Sequence, residues 1–366
     1  MSLLLRHALA WAVVLPAATT AQAQTPWPPV PALSAHRGAS ALYPEMTQPA
    51  FAQALQDGAD LLELDVVLSR DGVPVVRHDA ALAAPEVGEG TPFATTDVAT
   101  RPEFAQRKTT KTVDGVRQTG WFAEDFTLQE LKTLRTVERF AQLRPGSAAH
   151  DGQHPLLTLQ EVADLAKAHT ARTGRTAGLL IELKHAAYLQ AQGLDLCRAL
   201  LEFLERNQWS SAQAPVIVQS FEVQVLKELR ARSPVRILQL LGGKGGPPDR
   251  AAQGATYAQM ASAQGMAAIA AYAQGVALPR QLAMAMDKGR WIAPSAATRE
   301  AKAAGLAVHV WTLRPENQFL PPAYRKGTNP ADQGDALAEA RAILGSGGVD
   351  GLIADDPAAI RDAFRR

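Results

Sequence analysis

Apolar residues along this chain gather in short runs that alternate with stretches of helical spacing. Runs bounded by turn residues occupy 33–36, 61–68, 73–76, 178–183, 216–219, 235–241, 266–270, 306–311 and 349–354. Between most of them apolar positions recur every three to four residues, as in 47–55, 159–168, 189–204, 223–231 and 336–344. Short apolar runs separated by amphipathic helices are the pattern of βαβ units and a mainly parallel sheet. The run at 73–76 is the exception. Only Ser69-Arg70-Asp71-Gly72 separates it from 61–68, too short for a parallel crossover and well suited to an antiparallel turn. Setting that returning arm aside leaves eight parallel strands, the number that closes a (β/α)8 TIM barrel.

Two helix starts are signalled by T-x-x-E capping boxes, Thr127 to Glu130 and Thr158 to Glu161. The segment around 80–157 otherwise shows little periodicity and is too long for an ordinary connection. It reads as a small inserted subdomain or a loop cap at the barrel mouth. The glycine-rich stretch 242–246 lacks the GxxxxGK[ST] spacing of a phosphate loop and reads as a flexible loop.

Composition narrows the class. Hydrophobic residues make up 47% and charged residues 20%, an ordinary globular balance. With 37 Lys+Arg against 36 Asp+Glu the net charge is +1, which argues against a protein whose work is gripping nucleic acid or anionic lipid. A single cysteine, Cys197, excludes an internal disulfide framework and any CxxC site. At the N-terminus, Arg6, an uncharged run over 8–18 and Ala21-Gln22-Ala23 form the parts of a secretory leader over 1–23. That run is too short to span a bilayer, so the expectation is an exported protein, periplasmic or secreted, without stable membrane insertion. A Pro-rich arm follows at 24–32, and the barrel is expected over 33–366.

Charged residues interrupt the apolar runs at four places. His36-Arg37-Gly38 closes the first run, and Glu63-Leu64-Asp65 lies inside the second. His78-Asp79 ends the returning arm, and Glu182-Leu183-Lys184 ends the run at 178–183. Side chains two apart on a strand share a face, so Glu63 and Asp65 point together, as do Glu182 and Lys184. Strand ends of a barrel gather at one mouth. Three carboxylates, Glu63, Asp65 and Glu182, share a small space only with a cation between them, and an oxygen-only set suits Ca²⁺ or Mg²⁺ rather than zinc. His36 and His78 flank the same space and supply a base and an acid. Arg37 and Lys184 add donors for an anionic oxygen. Each fragment alone has a bland explanation, an exposed strand face or a structural histidine. Four together at the ends of buried strands point to phosphoryl chemistry.

The motifs SAHRGAS and LYPE (34–45), DGADLLELDVVLSRDGVPVVRHD (57–79), IELK (181–184), QSF (219–221), VHVWTLRPEN (308–317) and VDGLIADDP (349–357) resemble the glycerophosphodiester phosphodiesterase family, in its larger secreted bacterial branch. The resemblance covers nearly the whole chain after residue 33. It implies a TIM barrel with an inserted capping subdomain and one divalent cation, Ca²⁺ or alternatively Mg²⁺, on Glu63, Asp65 and Glu182. It makes His36 and His78 the acid–base pair, with His36 assigned as base and His78 as acid or the reverse. It places Arg37 and Lys184 on the phosphate, and Phe221 and Trp311 in the substrate pocket. The partner it implies is a small glycerophosphodiester, hydrolysed to sn-glycerol 3-phosphate and an alcohol; the oligomeric state is left open. Phospholipase-D-like action on lipid diesters, lysophospholipase-D action, and an exported phosphodiester-binding protein are the alternatives. Met46 stands where the family usually has Asn, which bears on local geometry. His309 shares a strand face with Trp311, and a core role is expected for it.

Overall fold

The computed structural model describes residues 27–365; the leader-like stretch 1–23 and the start of the Pro-rich arm lie outside the described residues. Eight strands, Ala32–Ala35, Leu61–Leu68, Gly178–Leu183, Val216–Ser220, Arg236–Leu240, Gly275–Pro279, Ala307–Leu313 and Gly351–Ala354, pair in parallel, and the first pairs with the last and the second, closing the barrel. This is the expected TIM barrel. Pro74–Val76 folds back antiparallel onto Val66 to Leu68, as the Asp-Gly turn requires. No helix among the described residues is long and apolar enough to cross a membrane.

One strand assignment is corrected. Residues 266–270 are not a strand but the end of a helix, Ala263–Ala270, capped by Ser262. Alanine is the best helix former and carries no β preference, and Met266 and Ile269, buried three apart, form the helix face. The sixth barrel strand is instead Gly275–Pro279. A second correction concerns 189–204, which is two helices, Ala186–Ala191 and Leu196–Arg206. The chain turns at Gln192-Gly193 and restarts where the Asp195 side chain accepts from Arg198 N.

Both capping boxes form, at Thr127 and Thr158. Between the returning arm and the second box lies an antiparallel sheet in the order Phe93–Ala94, Ala81–Val87, Val116–Phe122, Thr109–Val113. From there the chain runs back over the barrel mouth.

Alternation along the strands sorts the side chains. Val66, Ile181, Val218, Ile237, Val276, Val308 and Leu352 face outward into the core shared with the helices. Ala32, Leu61, Leu180, Ile217, Leu238 and Ile353 face inward and fill the barrel, with Trp27 packed against them. Burial of such side chains is the main source of stability.

Candidate active site

The site grows from the next inward positions along the same strands. Glu63 lies in register beside Leu180, and two residues on Asp65 lies beside Glu182, which lies beside Gln219. His36 follows the first strand at a sharp turn: Arg37 takes a left-handed φ of 56° and Gly38 one of 84°. A side chain at Gly38 would run into Ala50, 2.7 Å away, so only glycine fits there. The turn aims the Arg37 backbone N–H at Glu63 Oε2, 2.9 Å away. His78 is delivered by the returning arm, whose Arg77 N–H donates to the Asp65 carbonyl.

His36, Arg37, Glu63, His78, Glu182, Lys184, Phe221 and Trp311 all border one cavity of about 80 Å³. Asp65 completes the set: oxygens of Glu63, Asp65 and Glu182 lie within 4.8 Å of one another, all three residues buried. The nine residues expected to form the site are thus brought together. His150, His154, His169 and His185 do not line the cavity. His309 is a core residue, buried against Gly351, where an added Cβ would lie 2.5 Å from its Nδ1.

The electrostatics are those of charges held out of water. Burial, then Asp65 and Glu182, push Glu63 well above the usual carboxylate range. Burial, with Asp65 acting in the same sense and Lys184 against it, pushes Glu182 up to about 7. Asp65 goes the other way: burial raises it, but Lys184, His78 and Arg37 outweigh that. Lys184 Nζ lies 3.2 Å from Asp65 and 2.5 Å from Glu182. Arg37 Nε faces Asp65 Oδ2 at 3.3 Å, while Gln219 Oε1 and Trp311 Nε1 are buried without a hydrogen-bond partner. Three buried acids whose oxygens lie within 4.8 Å of one another repel each other and fit a hard divalent cation between them, and the cationic Arg37 and Lys184 beside them fit an anionic oxygen.

Both histidines are backed by carboxylates. His36 Nδ1 lies 2.6 Å from Asp355 Oδ1, and His78 Nδ1 lies 3.0 Å from Asp79 Oδ1. An ionised carboxylate has no proton to give, so Nδ1 carries the hydrogen and Nε2 is left to the cavity. Burial, then Arg37, lowers His36 against the pull of Asp355. Burial, then Arg37 and Lys184, lowers His78 to about 4.

Residues 36–359 match the profile of the glycerophosphoryl diester phosphodiesterase family. The chain belongs to this family. As a glycerophosphoryl diester phosphodiesterase it is similar to the Arabidopsis thaliana glycerophosphodiester phosphodiesterase GDPD6, 29% identical over 88% of this chain and 82% of that one. It is also similar to the Haemophilus influenzae glycerophosphodiester phosphodiesterase, 28% identical over 54% of this chain and about half (51%) of that one. Among solved structures, an Oleispira antarctica phosphodiesterase in complex with the product sn-glycerol-3-phosphate superposes with a TM-score of 0.56, at 21% identity over 92% of this chain and 97% of that one. A glycerophosphodiester phosphodiesterase from Agrobacterium tumefaciens superposes at 0.52, with 19% identity over 90% and 99% of the two chains. The structural likenesses concern the fold.

The sequence reading missed the residues behind the site. Arg314 and Gln219 line the cavity itself, Gln219 Nε2 donating to Glu63 Oε1 over 3.2 Å, and Asp355, Arg144, Arg139 and Glu45 stand behind them. Asp355 was within reach of the rule that found Glu182: it is a charge ending an apolar strand run. Met46 takes a left-handed φ of 59° while buried, a conformation that Asn tolerates better than Met.

Proposed function

We propose that this phosphodiesterase hydrolyses glycerophosphodiesters, such as glycerophosphocholine, to sn-glycerol 3-phosphate and an alcohol. The observation that carries the reading is the pair of carboxylate-backed histidines on one cavity with an oxygen-only triad and two cationic side chains. The Oleispira antarctica phosphodiesterase is in complex with the product sn-glycerol-3-phosphate, which is also the product of the reaction proposed here.

Glu63, Asp65 and Glu182 would hold one divalent ion, Ca²⁺ ahead of Mg²⁺ because calcium tolerates an irregular oxygen shell. Such an ion, when bound, withdraws charge from the phosphoryl oxygens and acidifies a hydroxyl. Arg37 and Lys184 orient the anionic phosphate. A hydroxyl of the glycerol or a water forms the new bond to phosphorus, and its proton passes to Nε2 of His36. The bond from phosphorus to the departing alcohol breaks, and its oxygen takes the Nε2 proton of His78, which acts as the imidazolium that the anionic phosphodiester beside it favours. This assignment follows exposure: the His36 side chain is 12% exposed and that of His78 31%, so His78 faces the outer, more variable part of the substrate. Export, from the leader-like pattern at 1–23, belongs to the same proposal and is tested by cell fractionation.

The test is release of sn-glycerol 3-phosphate from glycerophosphocholine, before and after exhaustive chelation. Turnover that stops with EDTA and returns with Ca²⁺ or Mg²⁺ supports the reading. Turnover that survives chelation removes the ion from it. Faster cleavage of lysophosphatidylcholine would move the substrate to lipids, and tight diester binding without release would make the protein a binder.

A further inference from the structure

Arg139 and Arg144 lie five residues apart in the segment that runs from the inserted sheet back over the mouth. Arg144 is buried; its Nη2 meets Asp355 Oδ2 at 2.5 Å, and its Nε meets Glu316 Oε1 at 2.6 Å. Asp355 is the carboxylate that holds His36. Arg139 Nη2 meets Asp79 Oδ2 at 2.5 Å and Glu45 Oε1 at 2.8 Å. Asp79 is the carboxylate that holds His78. Each histidine thus ends a relay of the same kind, imidazole to carboxylate to arginine, and both arginines come from one segment.

That segment is itself braced. Glu138 accepts from the backbone N–H of Phe140 and from the Ser147 hydroxyl, and Arg144 Nη1 donates to the Ser40 carbonyl. The Arg144 guanidinium lies 5.3 Å from the Phe140 ring, which packs edge-on against Phe319. A bidentate or shared guanidinium fixes a carboxylate more tightly than an ammonium does. A carboxylate that is fixed in turn fixes the ring orientation and tautomer of its histidine.

We infer that Arg139 and Arg144 are positioning residues for His78 and His36 respectively, so that the insertion forms part of the catalytic machinery and does more than cover the mouth. The inference rests on the hydrolytic reading for its kinetic consequence. It also predicts an effect that needs no turnover. Each arginine neutralises the carboxylate behind one ring. The charged groups facing His36 are Arg37, Arg314, Asp65, Asp355 and, through Asp355, Arg144; those facing His78 are Arg37, Lys184, Asp65, Asp79, Glu45 and, through Asp79, Arg139. Removing Arg144 leaves the Asp355 charge compensated by Arg314 alone and makes His36 easier to protonate. Removing Arg139 does the same for His78.

The experiment combines Arg144→Ala and Arg139→Ala, with the Lys versions as the conservative pair, with His36→Ala and His78→Ala in the full chain. Each arginine deletion should lower kcat about 10–100-fold with KM little changed, and Lys should recover part of the loss. The decisive pattern is the crossing. Arg144→Ala should add nothing to His36→Ala but keep its effect beside His78→Ala, and Arg139→Ala the reverse, because residues acting as a unit are not additive. Histidine NMR titration of each folded variant should show the pKa of His36 raised only by Arg144→Ala and that of His78 only by Arg139→Ala. Losses that multiply equally in both backgrounds, or histidine titrations that do not move, overturn the inference. A wild-type protein that cleaves no glycerophosphodiester overturns the hydrolytic reading instead, and the titrations then decide the positioning on their own.

Discussion

The two ends of the barrel interior use the same strands and the same inward-facing positions, and they do opposite things. At the lower end Leu61, Leu180, Ile217, Leu238 and Ile353 pack against one another. Two residues further along the same strands stand Glu63, Glu182, Gln219, Leu240 and Asp355. The lower set gains stability by leaving water. The upper set loses its hydration and is held only by partners: Arg37 and Gln219 on Glu63, Lys184 on Asp65 and Glu182, Arg144 and Arg314 on Asp355. Histidine shows the contrast most cleanly. His36 at the upper end has a carboxylate at 2.6 Å, whereas His309 at the lower end has a buried Nδ1 with no hydrogen-bond partner. Of these two rings only His36 is carboxylate-backed, although His185 carries the same kind of pair with Asp114 at 2.7 Å without lining the cavity.

The largest effects that would break this comparison are kinetic. His36→Ala and His78→Ala should each lower kcat about 10²–10⁴-fold, the usual worth of a positioned acid or base, with little change in Tm. With a substrate whose leaving group is an activated phenol, His78→Ala should recover most of its loss and His36→Ala should not. The opposite recovery exchanges base and acid. Near-wild-type rates for both variants on glycerophosphocholine would remove the two-histidine mechanism.

Leu180→Ala probes the lower end one strand over from Glu63. It should destabilise the protein by about 2–5 kcal/mol, as large-to-small core changes do, and leave kcat per folded molecule unchanged. A chemical-denaturation curve read beside a rate assay checks both halves. If kcat falls along with stability, the two ends are mechanically coupled and the contrast is too sharp.

Why so much of this was readable lies in the period-2 pattern. Glu63 and Asp65 stand out because they interrupt an eight-residue strand that is buried along its whole length. The returning arm was readable from the length of one turn. The sixth strand was not, because an Ala-rich run such as 263–270 is apolar in any conformation, while Gly275–Pro279 begins and ends with residues that normally break strands. Arg139 and Arg144 were out of reach for a different reason. Their meaning depends on partners far along the chain, Arg144 with Asp355 above all, and nothing local in 137–148 distinguishes them from surface arginines.

The third test turns the upper end against itself. Because burial and two neighbouring acids push the Glu63 carboxyl well up, its ionised form opposes folding when no divalent ion is present. The sign is set by linkage: a carboxyl raised in the folded state adds stability at low pH, and that contribution is lost as pH rises through its folded pKa. Glu63→Gln in EDTA should therefore raise Tm at alkaline pH, by about 2–4 °C for each kcal/mol relieved, and have little effect in acid. The same variant should lose divalent-dependent turnover. A Tm that falls at alkaline pH would mean that Arg37 and Gln219 already compensate the charge.

The smallest effect belongs to His309. Burial lowers its pKa to about 4, with Asp350 pulling weakly the other way and Lys302 adding to the drop. In the unfolded chain the same ring titrates near 6.5. Between those values the unfolded state binds the proton and the folded state does not. The contribution of His309 to stability is therefore full above about pH 6.5 and is lost as pH falls toward 4, amounting to at most about 3 kcal/mol. His309→Leu removes both the titration and the unpartnered Nδ1. The ring sits where Gly351 has no side chain, so an aliphatic group finds room there without displacing the neighbouring strand. The variant should match the wild type at pH 8 to within about 1 kcal/mol and exceed it at pH 4.5. The difference between the two proteins' stabilities across that range isolates His309 from the raised and lowered groups of the site, which both proteins share. A difference that stays flat with pH would mean that His309 is charged or solvated in the fold. The lower end would then hold polar chemistry of its own, and the division between the two ends would have to be redrawn.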